Sequence, residues 1–556
     1  VGVAPKLRPA PEALSKAAKT FRALQATPAQ PGIPLSGTAN VLTVLINFSD
    51  RTTTYGSTNF NTLFFGTGVY SMKDYYTEVS YGRFTVSAGP GGIADWYQAS
   101  QSHDYYGANV ETGNVKDQWP GDLIYEAVRA ADNANFNFAP YDQDGDCQVD
   151  VVNAIHQGSG EEASGLAADI WSHSWDLNSA RAWNRSHYGA YTTKSPCKAG
   201  GYIMVNRYVI QPEIFAGGMT TMGVFAHEYG HALGLPDLYD YDFSSQGVGN
   251  WSLMAYGTWN GVMRDGDRPA HLDAWSKYKL GWITPTPISS GSPRSPIIQP
   301  AYAYASSYQL LDGGPTVGGE YFLIENRQKG GFDAGLPGSG LLIWHIDESR
   351  STNDQECYPG GPSCAAQHYK VALVQADNLW NLEKNQNRGD DGDPYPGASH
   401  HGNLTDGSAP NSRLYDGSAS GISITNIAVS GSNITATLST DGDPNVSYLL
   451  TVTKAGTGAG AVISTPAGID CGSDCSESYP LGTDVTLTAT PAAGSIFTIW
   501  NGPCSRVNGA TCTVAMDAVK SVTATFTLDA TPPALAVSAG FVHTCGLRYD
   551  GTIACW

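Results

Sequence analysis

The sequence predicts a multidomain protein in which an α/β unit is followed by β-rich, sandwich-like units. With 556 residues the chain is too long for a single hydrophobic core, so about three to four domains are expected. Apolar runs typical of buried strands alternate with helical patterns up to about residue 283, which favours an α/β architecture. After that position, short stretches with alternating apolar residues dominate, and these are typical of packed β-sheets.

The elements follow one another in a regular order. Residues 1–38 are rich in Pro and Ala and are interpreted as an N-terminal arm or a propeptide remnant. The patterns then predict a strand at 41–48, a helix at 71–79, a strand at 83–86, a helix at 122–132, a strand at 149–155 and a helix at 222–233. In the β-rich part they predict strands at 321–325, 341–346, 371–375 and 422–429, and a separate β module over 446–528.

The composition excludes several classes of protein. Hydrophobic residues make up 41% of the chain and aromatic residues 11%, which is enough for packed interiors and excludes a disordered protein. The formal net charge of −20 argues against a nucleic-acid partner and against an anionic membrane surface. No apolar run approaches the ~20 residues that span a bilayer. Because the chain begins with Val1, we expect that an export signal has been removed, as in a secreted, extracellular protein.

The predicted helix at 222–233 carries the motif H-E-x-x-H-x-x-G-x-x-D. Residues four apart lie on one face of a helix, so His227 and His231 can both offer an imidazole nitrogen to one metal ion. The Glu228 carboxylate can reach a water on that metal but not easily the metal itself, as a general base must. Gly234 ends the helix, and Asp237 can then return as the third ligand of a catalytic zinc ion.

Other acidic residues could supply the third ligand. A carboxylate oxygen is an acceptable zinc ligand, so Asp237 fits the motif, although a histidine stands at that position in the histidine-rich metzincin pattern. No glutamate occurs between Glu228 and Glu320, so a later glutamate is not close in sequence. Asp240 and Asp273 remain alternatives to Asp237.

The segment 250–256, Asn-Trp-Ser-Leu-Met-Ala-Tyr, resembles the Met-turn of the metzincin metallopeptidases. In that turn a methionine lies beneath the zinc ion, and a tyrosine two residues later reaches toward the site. The resemblance implies that Met254 lies under the metal and that Tyr256 donates a hydrogen bond to the oxyanion that develops during catalysis. The alternative for Tyr256 is an ordinary core tyrosine.

An acidic segment at 142–150 predicts a calcium site. The carboxylates of Asp142, Asp144, Asp146 and Asp150, with the backbone carbonyl of Gln148, follow the spacing of oxygen ligands around a turning chain. Glycine comes at the fourth position and no glutamate at the twelfth, so the loop is not an EF-hand. The alternative is a solvated acidic turn. For a second acidic stretch at 390–393, calcium and a solvated turn are about equally favoured.

The ten cysteines fall mostly in close pairs. None follows a C-x-x-C zinc pattern, which favours disulfide bonds formed in an oxidising compartment. The close pairs are Cys357/Cys364, Cys471/Cys475, Cys504/Cys512 and Cys545/Cys555. Cys147 and Cys197 are left over and could pair with each other, although spacing alone does not determine the connectivity.

Residues 40–440 resemble the immune inhibitor A family of secreted bacterial metallopeptidases. The resemblance rests on the zinc motif and on sequence blocks at 74–76, 80–82, 170–173, 269–275, 321–327 and 340–347. It implies a metzincin-like zinc peptidase domain at 39–283, a β-rich ancillary domain at 284–440, and a secreted protein that hydrolyses peptide bonds. It also implies zinc binding by His227, His231 and Asp237, and catalysis by Glu228.

Two shorter regions resemble other modules. Residues 446–528 are similar to a divergent internalin-type B repeat, and residues 534–556 to one repeat of a propeller of the regulator-of-chromosome-condensation type. Since a propeller needs several repeats, we expect the native polypeptide to continue beyond Trp556. Both kinds of module usually bind or space other domains, which favours attachment to a cell surface or matrix.

Together these patterns predict a secreted zinc endopeptidase that hydrolyses extracellular proteins or peptides through a zinc-activated water, with Glu228 as the general base. The expected cofactors are zinc and calcium. The main alternative is a calcium-stabilised adhesin or binding protein with a vestigial peptidase module, and the intact Glu228 argues against it. Zinc-dependent hydrolysis of a non-peptide substrate is a further alternative, which the family resemblance disfavours.

Overall fold

The structure is a computed structural model that describes residues 32–110, 117–441, 447–480, 483–516, 518–529, 537–539, 544–547 and 551–555. The chain divides into two compact units. The first comprises Val1–Leu404, Ser408–Ser418 and Ile424–Thr440, and the second comprises Thr405–Gly407, Ala419–Ser423 and Asp441–Trp556. Most of the predicted N-terminal arm, residues 1–31, lies outside the described residues.

A mixed six-stranded sheet lies at the centre of the first unit. Its strands run in the order Gly218–Met219, Arg207–Phe215, Val152–Ser159, Leu42–Asn47 and Ile93–Gln98, and His173–Asp176 pairs with Arg207–Phe215. The pairings among the four long central strands are parallel, and the two remaining pairings are antiparallel. Leu42–Asn47 is buried along nearly its whole length, as expected of a strand covered on both faces. The strand predicted at 41–48 is therefore confirmed as a central strand.

Helices connect and cover these strands. The α-helices are Ser57–Phe65, Met72–Val79, His103–Gly107, Pro120–Asn133, Glu161–Ser164, Leu177–Ala182, Met222–Ala232 and Ala274–Lys279. Short 3₁₀ turns lie at Ala139–Tyr141, Gly249–Trp251, Tyr256–Trp259 and Gly331–Gly335. Local sequence explains two helix starts, because the Ser71 hydroxyl accepts a hydrogen bond from the Asp74 amide and Pro120 occupies the first position of its helix. The three helices predicted from the sequence are confirmed.

The chain after residue 283 is β-rich, as predicted. A five-stranded sheet runs in the order Thr286–Ile288, Ser307–Leu310, Glu320–Arg327, Gly340–Asp347 and Val371–Leu373. A four-stranded sheet runs in the order Ile297–Ile298, Asn433–Ser439, Ser423–Ser430 and Leu404–Thr405. Two further strand pairs precede them, Gly37–Asn40 with Phe84–Ser87 and Tyr191–Pro196 with Tyr202–Val205.

The helix that carries the zinc motif and the β-rich region share one hydrophobic cluster. Phe225 and Tyr229 of the helix belong to this cluster, as do Tyr321 and Trp344 of the five-stranded sheet. Burying a large apolar side chain contributes about 1.5–3 kcal/mol, so the two regions stabilise each other. The secondary structure changes from α/β to β-rich at the predicted boundary between residues 283 and 284. Residues from both sides of this boundary nevertheless share one hydrophobic core. The domain boundaries themselves stay predictions.

A buried arginine, Arg327, holds the main chain at Trp251 in place. Arg327 is 0% exposed, and its guanidinium donates to Asp333 Oδ2 at 2.7 Å and to Asp333 Oδ1 at 2.5 Å. It also donates to the Trp251 carbonyl oxygen at 3.1 Å and to Glu325 Oε1 at 3.2 Å. Burial alone raises the pKa of Asp333, but the Arg327 charge outweighs burial and lowers the pKa to about 2.

The second unit contains two four-stranded sheets. One runs in the order Ser476–Pro480, Ser447–Ala455, Lys520–Leu528 and Ser495–Asn501, and the other Gly460–Thr465, Asp484–Pro491, Thr511–Ala515 and Arg506–Asn508. Val452 and Phe526 of one sheet and Leu487 of the other lie in a single hydrophobic cluster, as in a β-sandwich. A three-stranded sheet of Val537–Ala539, Thr544–Leu547 and Ile553–Cys555 follows.

All ten cysteines form disulfide bonds. The bonds are Cys147–Cys197, Cys357–Cys364, Cys471–Cys475, Cys504–Cys512 and Cys545–Cys555. The predicted close pairs are confirmed, and the two left-over cysteines bond to each other. In the described ranges, no helix combines the length and the apolar character needed to cross a membrane.

Replacing Asp333 with Asn should strongly destabilise the first unit. The variant leaves the Arg327 charge buried without its bidentate partner, and removing one partner of a buried ion pair costs about 3–5 kcal/mol. Thermal unfolding followed by circular dichroism measures the effect, with Asp312→Asn, which alters an exposed carboxylate, as the control. Equal melting temperatures for the two variants would contradict the prediction.

The same ion pair should make stability depend on acid pH. Because the pKa of Asp333 is lower in the folded state, its contribution is fully present above the unfolded value of 3.8 and is lost as the pH falls toward about 2. The melting temperature of the Asp333→Asn variant should therefore fall less steeply across this pH window than that of the parent chain.

Candidate metal centre

The helix Met222–Ala232 holds the three polar residues of the motif in a buried setting. These residues are His227, Glu228 and His231. Gly230, between the two histidines, lies against Met254, since a Cβ atom at this glycine would be 2.6 Å from Met254 Sδ. The methionine is thus packed under the helix face that carries the imidazoles. This is the position that the Met-turn resemblance implies for Met254.

The helix ends in a Schellman motif that turns the chain back toward the histidines. The Gly234 amide donates to the His231 carbonyl oxygen at 2.9 Å, and the Leu235 amide donates to the Gly230 carbonyl oxygen at 3.1 Å. Gly234 has a φ of +93°, a conformation that side chains other than glycine rarely adopt. Only Pro236 separates Leu235 from Asp237, so the reversed chain brings Asp237 back to the helix.

Main-chain carbonyls orient both imidazoles. His227 Nδ1 lies 2.8 Å from the Leu253 carbonyl oxygen, and His231 Nδ1 lies 2.8 Å from the Leu235 carbonyl oxygen. A carbonyl oxygen only accepts, so each Nδ1 donates to it, and each Nε2 is the ring atom that could bind a metal ion. Such a hydrogen bond on the distal nitrogen is typical of metal-binding histidines.

Asp237 brings a carboxylate oxygen to both imidazoles. Its Oδ1 atom lies 3.0 Å from His227 Nε2 and 3.2 Å from His231 Nε2. Ligand atoms around a tetrahedral zinc ion at about 2.0–2.2 Å are separated by about 3.3–3.6 Å, so the three atoms are close to the required spacing. The other oxygen, Oδ2, accepts a hydrogen bond of 2.8 Å from the Tyr241 hydroxyl. One carboxylate oxygen is thereby held in place while the other faces the histidines.

The two alternative third ligands are engaged elsewhere. Asp240 Oδ2 accepts hydrogen bonds from the Ser245 amide at 2.8 Å and from its hydroxyl at 2.6 Å. Asp273 caps the helix Ala274–Lys279 by accepting from the Ser276 amide at 2.9 Å, and it also accepts from the Ser252 hydroxyl at 2.6 Å. The structure brings His227, His231 and Asp237 together and does not bring Asp240 or Asp273 into that group.

The donor set fits a zinc ion. Asp237 Oδ1 is buried, and the two imidazole Nε2 atoms lie 3.0 and 3.2 Å from it, so one metal ion could share all three donor atoms. Burial alone raises the pKa of Asp237, but the neighbouring imidazoles outweigh burial and lower it, so the carboxyl stays ionised. Burial alone lowers the pKa of His231, and the Asp237 charge outweighs burial and raises it to about 9. The site therefore attracts positive charge.

Glu228 is buried beside this group. Its Oε2 atom has no hydrogen-bond partner among the described residues. Burial raises the pKa of Glu228, whereas the imidazoles of His227 and His231 and a hydrogen bond from the Ser174 amide lower it in part. A carboxylate with a raised pKa is suited to accept and return a proton near neutral pH.

Tyr256 is held by an arginine from a distant loop. The Arg388 guanidinium carbon lies 3.9 Å from the centre of the Tyr256 ring. Burial raises the pKa of Tyr256 to about 12, so the hydroxyl keeps its proton and can donate it in a hydrogen bond. The Tyr239 ring is near both Tyr256 and the metal ligands, with its centre 6.0 Å from that of Tyr256 and 6.3 Å from that of His227.

Residues 47–283 match the family model described as the immune inhibitor A peptidase M6 catalytic domain. This chain contains a peptidase M6 domain of the immune inhibitor A type. Residues 449–530 match the divergent InlB B-repeat domain. The resemblance to the immune inhibitor A family is therefore confirmed over residues 47–283 and the resemblance to the B repeat over residues 449–530. The extension of the first resemblance to residue 440 and the propeller-type repeat at 534–556 stay predictions.

The chain is similar to a protein named as a metalloprotease and to one named as an immune inhibitor. The chain is 35% identical over 235 residues to the "Pre-pro-metalloprotease PrtV" of Vibrio cholerae serotype O1, a match that covers 39% of this chain and 24% of PrtV. It is 35% identical over 217 residues to "Immune inhibitor A" of Bacillus thuringiensis subsp. alesti, covering 35% of this chain and 30% of that protein. The chain thus spans less than a third of the length of the relatives that it matches.

The acidic loop lies within the M6 domain and brings three carboxylates together. One oxygen from each of Asp142, Asp144 and Asp146 lies within 4.8 Å of the others. Asp142 Oδ1 is buried without a hydrogen-bond partner among the described residues. Burial raises the pKa of Asp142, and the negative charges of the other two carboxylates raise it further. Such a group is stabilised by a bound cation.

The two remaining predicted calcium ligands lie beside these carboxylates. Asp150 Oδ1 accepts from the Gln143 amide at 3.2 Å, and its buried Oδ2 has no hydrogen-bond partner in the described part of the chain. Burial raises the pKa of Asp150 to about 7. The Gln148 amide donates to Asp146 Oδ1 at 2.7 Å. Gln148 and Met204 form an isolated parallel bridge, in which the hydrogen bonds of Met204 go to Cys147 and Val149 and not to Gln148 itself.

Sequence reasoning missed three contributors to the metal centre. Tyr241 fixes Asp237, the Leu253 carbonyl orients His227, and Arg388 packs on Tyr256. No spacing rule connects a loop tyrosine, a main-chain carbonyl or a distant arginine to a zinc motif. The one indication that the sequence offered was the tyrosine-rich segment directly after the motif, which contains Tyr241.

Tyr241→Phe should weaken zinc binding without removing a ligand. The change deletes the hydroxyl that holds Asp237 Oδ2, and losing such an outer hydrogen bond raises the zinc dissociation constant about 10–100-fold. Competition with a chromophoric chelator measures the constant. Tyr239→Phe, two residues earlier in the same loop, is the matched control and should leave it nearly unchanged. Equal constants for both variants would show that the Tyr241 hydroxyl does not support the site.

Proposed function

We propose that this chain is a zinc-dependent endopeptidase whose metal ligands are His227, His231 and Asp237 and whose general base is Glu228. The observation that carries the proposal is the convergence of three ligand atoms beside a buried carboxylate that has a free oxygen. The match to a peptidase M6 catalytic domain supports a metalloprotease. The names of the relatives, a metalloprotease and an immune inhibitor, agree with hydrolysis of protein substrates.

The chain's own residues account for the proton transfers of peptide hydrolysis. When bound, zinc supplies a Lewis acid that makes water more acidic and polarises a peptide carbonyl. Glu228 accepts a proton from the attacking water and returns it to the leaving amine, a role for which its burial and raised pKa suit it. Tyr256, whose hydroxyl stays protonated, donates a hydrogen bond to the oxyanion that forms on the carbonyl oxygen.

The protein works outside the cell in this proposal. Five disulfide bonds support an oxidising compartment, because such bonds are rare in proteins of the cytosol. The two-sheet module that matches the InlB B-repeat domain offers a rigid surface and carries no metal-binding group in its described residues. We assign it attachment to a cell surface or matrix and assign the chemistry to the peptidase domain.

Changing Glu228 to Gln should abolish proteolysis while the zinc content stays the same. Glutamine keeps the size of the side chain but cannot accept the proton, and general-base catalysis contributes about 10²–10⁴-fold to the rate. Turnover of a quenched fluorescent peptide gives kcat/KM, and elemental analysis gives zinc per chain. Substantial remaining activity in a zinc-loaded variant would exclude Glu228 as the base. Loss of zinc would instead assign it a role in metal binding.

A calcium ion at the acidic loop is the second part of the proposal. Its ligands are the carboxylates of Asp142, Asp144, Asp146 and Asp150 and the Gln148 carbonyl oxygen, which form a set of hard oxygen ligands that suits calcium. Two buried carboxylate oxygens, Asp142 Oδ1 and Asp150 Oδ2, have no hydrogen-bond partner in the part of the chain that the structure describes, and they support this site. The disulfide Cys147–Cys197 closes the loop on one side, so the role of the ion is structural.

Removing this calcium should lower stability without changing zinc stoichiometry. In the double variant Asp144→Asn/Asp146→Asn, two ligands lose their charge, so calcium should no longer raise the melting temperature through this loop. Differential scanning calorimetry with and without a calcium-selective chelator compares it with the parent chain, and zinc per chain serves as the control. An equal chelator effect on both proteins would favour the solvated acidic turn.

A further inference from the structure

A second acidic cluster lies in the loops after the strand Val371–Leu373, outside the metal centre. One carboxylate oxygen from each of Asp377, Asp390 and Asp393 lies within 4.8 Å of the others. Gly392 permits this approach, since a Cβ atom there would be 2.7 Å from Asp377 Oδ2 and 3.0 Å from Asp390 Oδ1. The main chain therefore closes around the carboxylates with no side chain between them.

The three carboxylates have no strong cationic partner of their own. Among the described residues, no lysine or arginine forms an ion pair with Asp377, Asp390 or Asp393. Burial and the charge of Asp390 raise the pKa of Asp377, and the nearby imidazole of His401 lowers it only in part. Like charges at this distance repel each other strongly in a buried setting, so either a proton or a cation must neutralise the cluster.

Asp393 distinguishes between a proton and a cation. It is 0% exposed, and its Oδ2 accepts from Trp251 Nε1 at 2.9 Å and from the Asp390 amide at 3.0 Å. Its buried Oδ1 has no hydrogen-bond partner among the described residues. A proton on Oδ1 would leave a buried donor without an acceptor, which costs about 1–3 kcal/mol. A cation would satisfy Oδ1 and remove the repulsion as well.

We propose that Asp377, Asp390 and Asp393 bind a calcium ion. Calcium binds six to eight oxygen atoms at about 2.3–2.6 Å, so two oxygens on one ion lie no more than about 5 Å apart, as the three carboxylates do. Waters and main-chain carbonyl oxygens complete the shell. Zinc prefers nitrogen and sulfur ligands, and magnesium demands near-ideal octahedral geometry, so an irregular all-oxygen site favours calcium.

The ion would stabilise the segment 250–253, which orients one of the ligands in the candidate metal centre. Asp393 holds the indole of Trp251, and two residues later the Leu253 carbonyl orients His227. The Arg388 carbonyl of the same loop accepts from the Asn250 amide at 2.7 Å. A cation that fixes the loop therefore also fixes the segment that orients a zinc ligand. The role is structural, and the site exists whether or not the chain is a peptidase.

The test measures calcium binding, independently of proteolysis. The parent for the test is the full chain with Glu228→Gln, which prevents self-digestion, and with Asp144→Asn and Asp146→Asn, which remove the first acidic loop. Equilibrium dialysis followed by elemental analysis gives calcium per chain. Asp377→Asn and Asp393→Asn should each weaken binding at least tenfold. Asp391→Asn, an exposed aspartate within the same loop, is the matched control and should bind as the parent does.

Terbium luminescence locates the ion. Terbium replaces calcium in oxygen sites and emits when a nearby tryptophan is excited, so the parent should show sensitised emission that Trp251→Phe greatly reduces. Calcium that binds equally to the parent, Asp377→Asn and Asp393→Asn would overturn the proposal, as would equal losses in Asp391→Asn. If circular dichroism shows that Asp393→Asn does not fold, calcium binding by the Asp377→Asn variant tests the proposal instead. Asp377 is half-buried, and its substitution leaves the hydrogen bond between Trp251 and Asp393 intact.

Discussion

The candidate metal centre depends on how closely the helix Met222–Ala232 packs against the segment that follows it in the chain. Gly230 has no side chain, so Met254 can lie directly against the helix between the two histidines. This contact brings the Leu253 carbonyl within 2.8 Å of His227 Nδ1. A larger residue at position 230 would push the segment away, and the imidazole would lose the hydrogen bond that sets its tautomer and direction.

A second constraint is the burial of carboxylate oxygens in a strongly acidic chain. With 51 acidic and 31 basic side chains, the protein has few cations of its own to neutralise buried acids. Within the described residues, Asp142, Asp150, Glu161, Glu228 and Asp393 each have a buried carboxylate oxygen without a hydrogen-bond partner. All of these except Glu161 belong to, or lie beside, a group in which the proposed metal ions would neutralise the carboxylate charge.

Local patterns predicted much of the structure. The central strand, three of the helices and four strands of the β-rich region follow from apolar periodicity, because the period of buried residues reflects the geometry of each element. The helix Ser57–Phe65 was not predicted, although it is longer than Met72–Val79. Edge elements were less visible. The strand His173–Asp176 has a burial pattern of alternating buried and half-buried residues over only four positions, too short a stretch for periodicity to identify.

The sequence by itself determined the grouping of His227, Glu228 and His231, because helical geometry places residues at that spacing on neighbouring positions of one turn. It also indicated Asp237, since Gly234 ends the helix in a way that brings the chain back. Only the tertiary structure decided which aspartate faces the histidines and what orients each ligand. Those choices depend on hydrogen bonds from Tyr241, Leu253 and other groups that packing brings close and that no local spacing encodes.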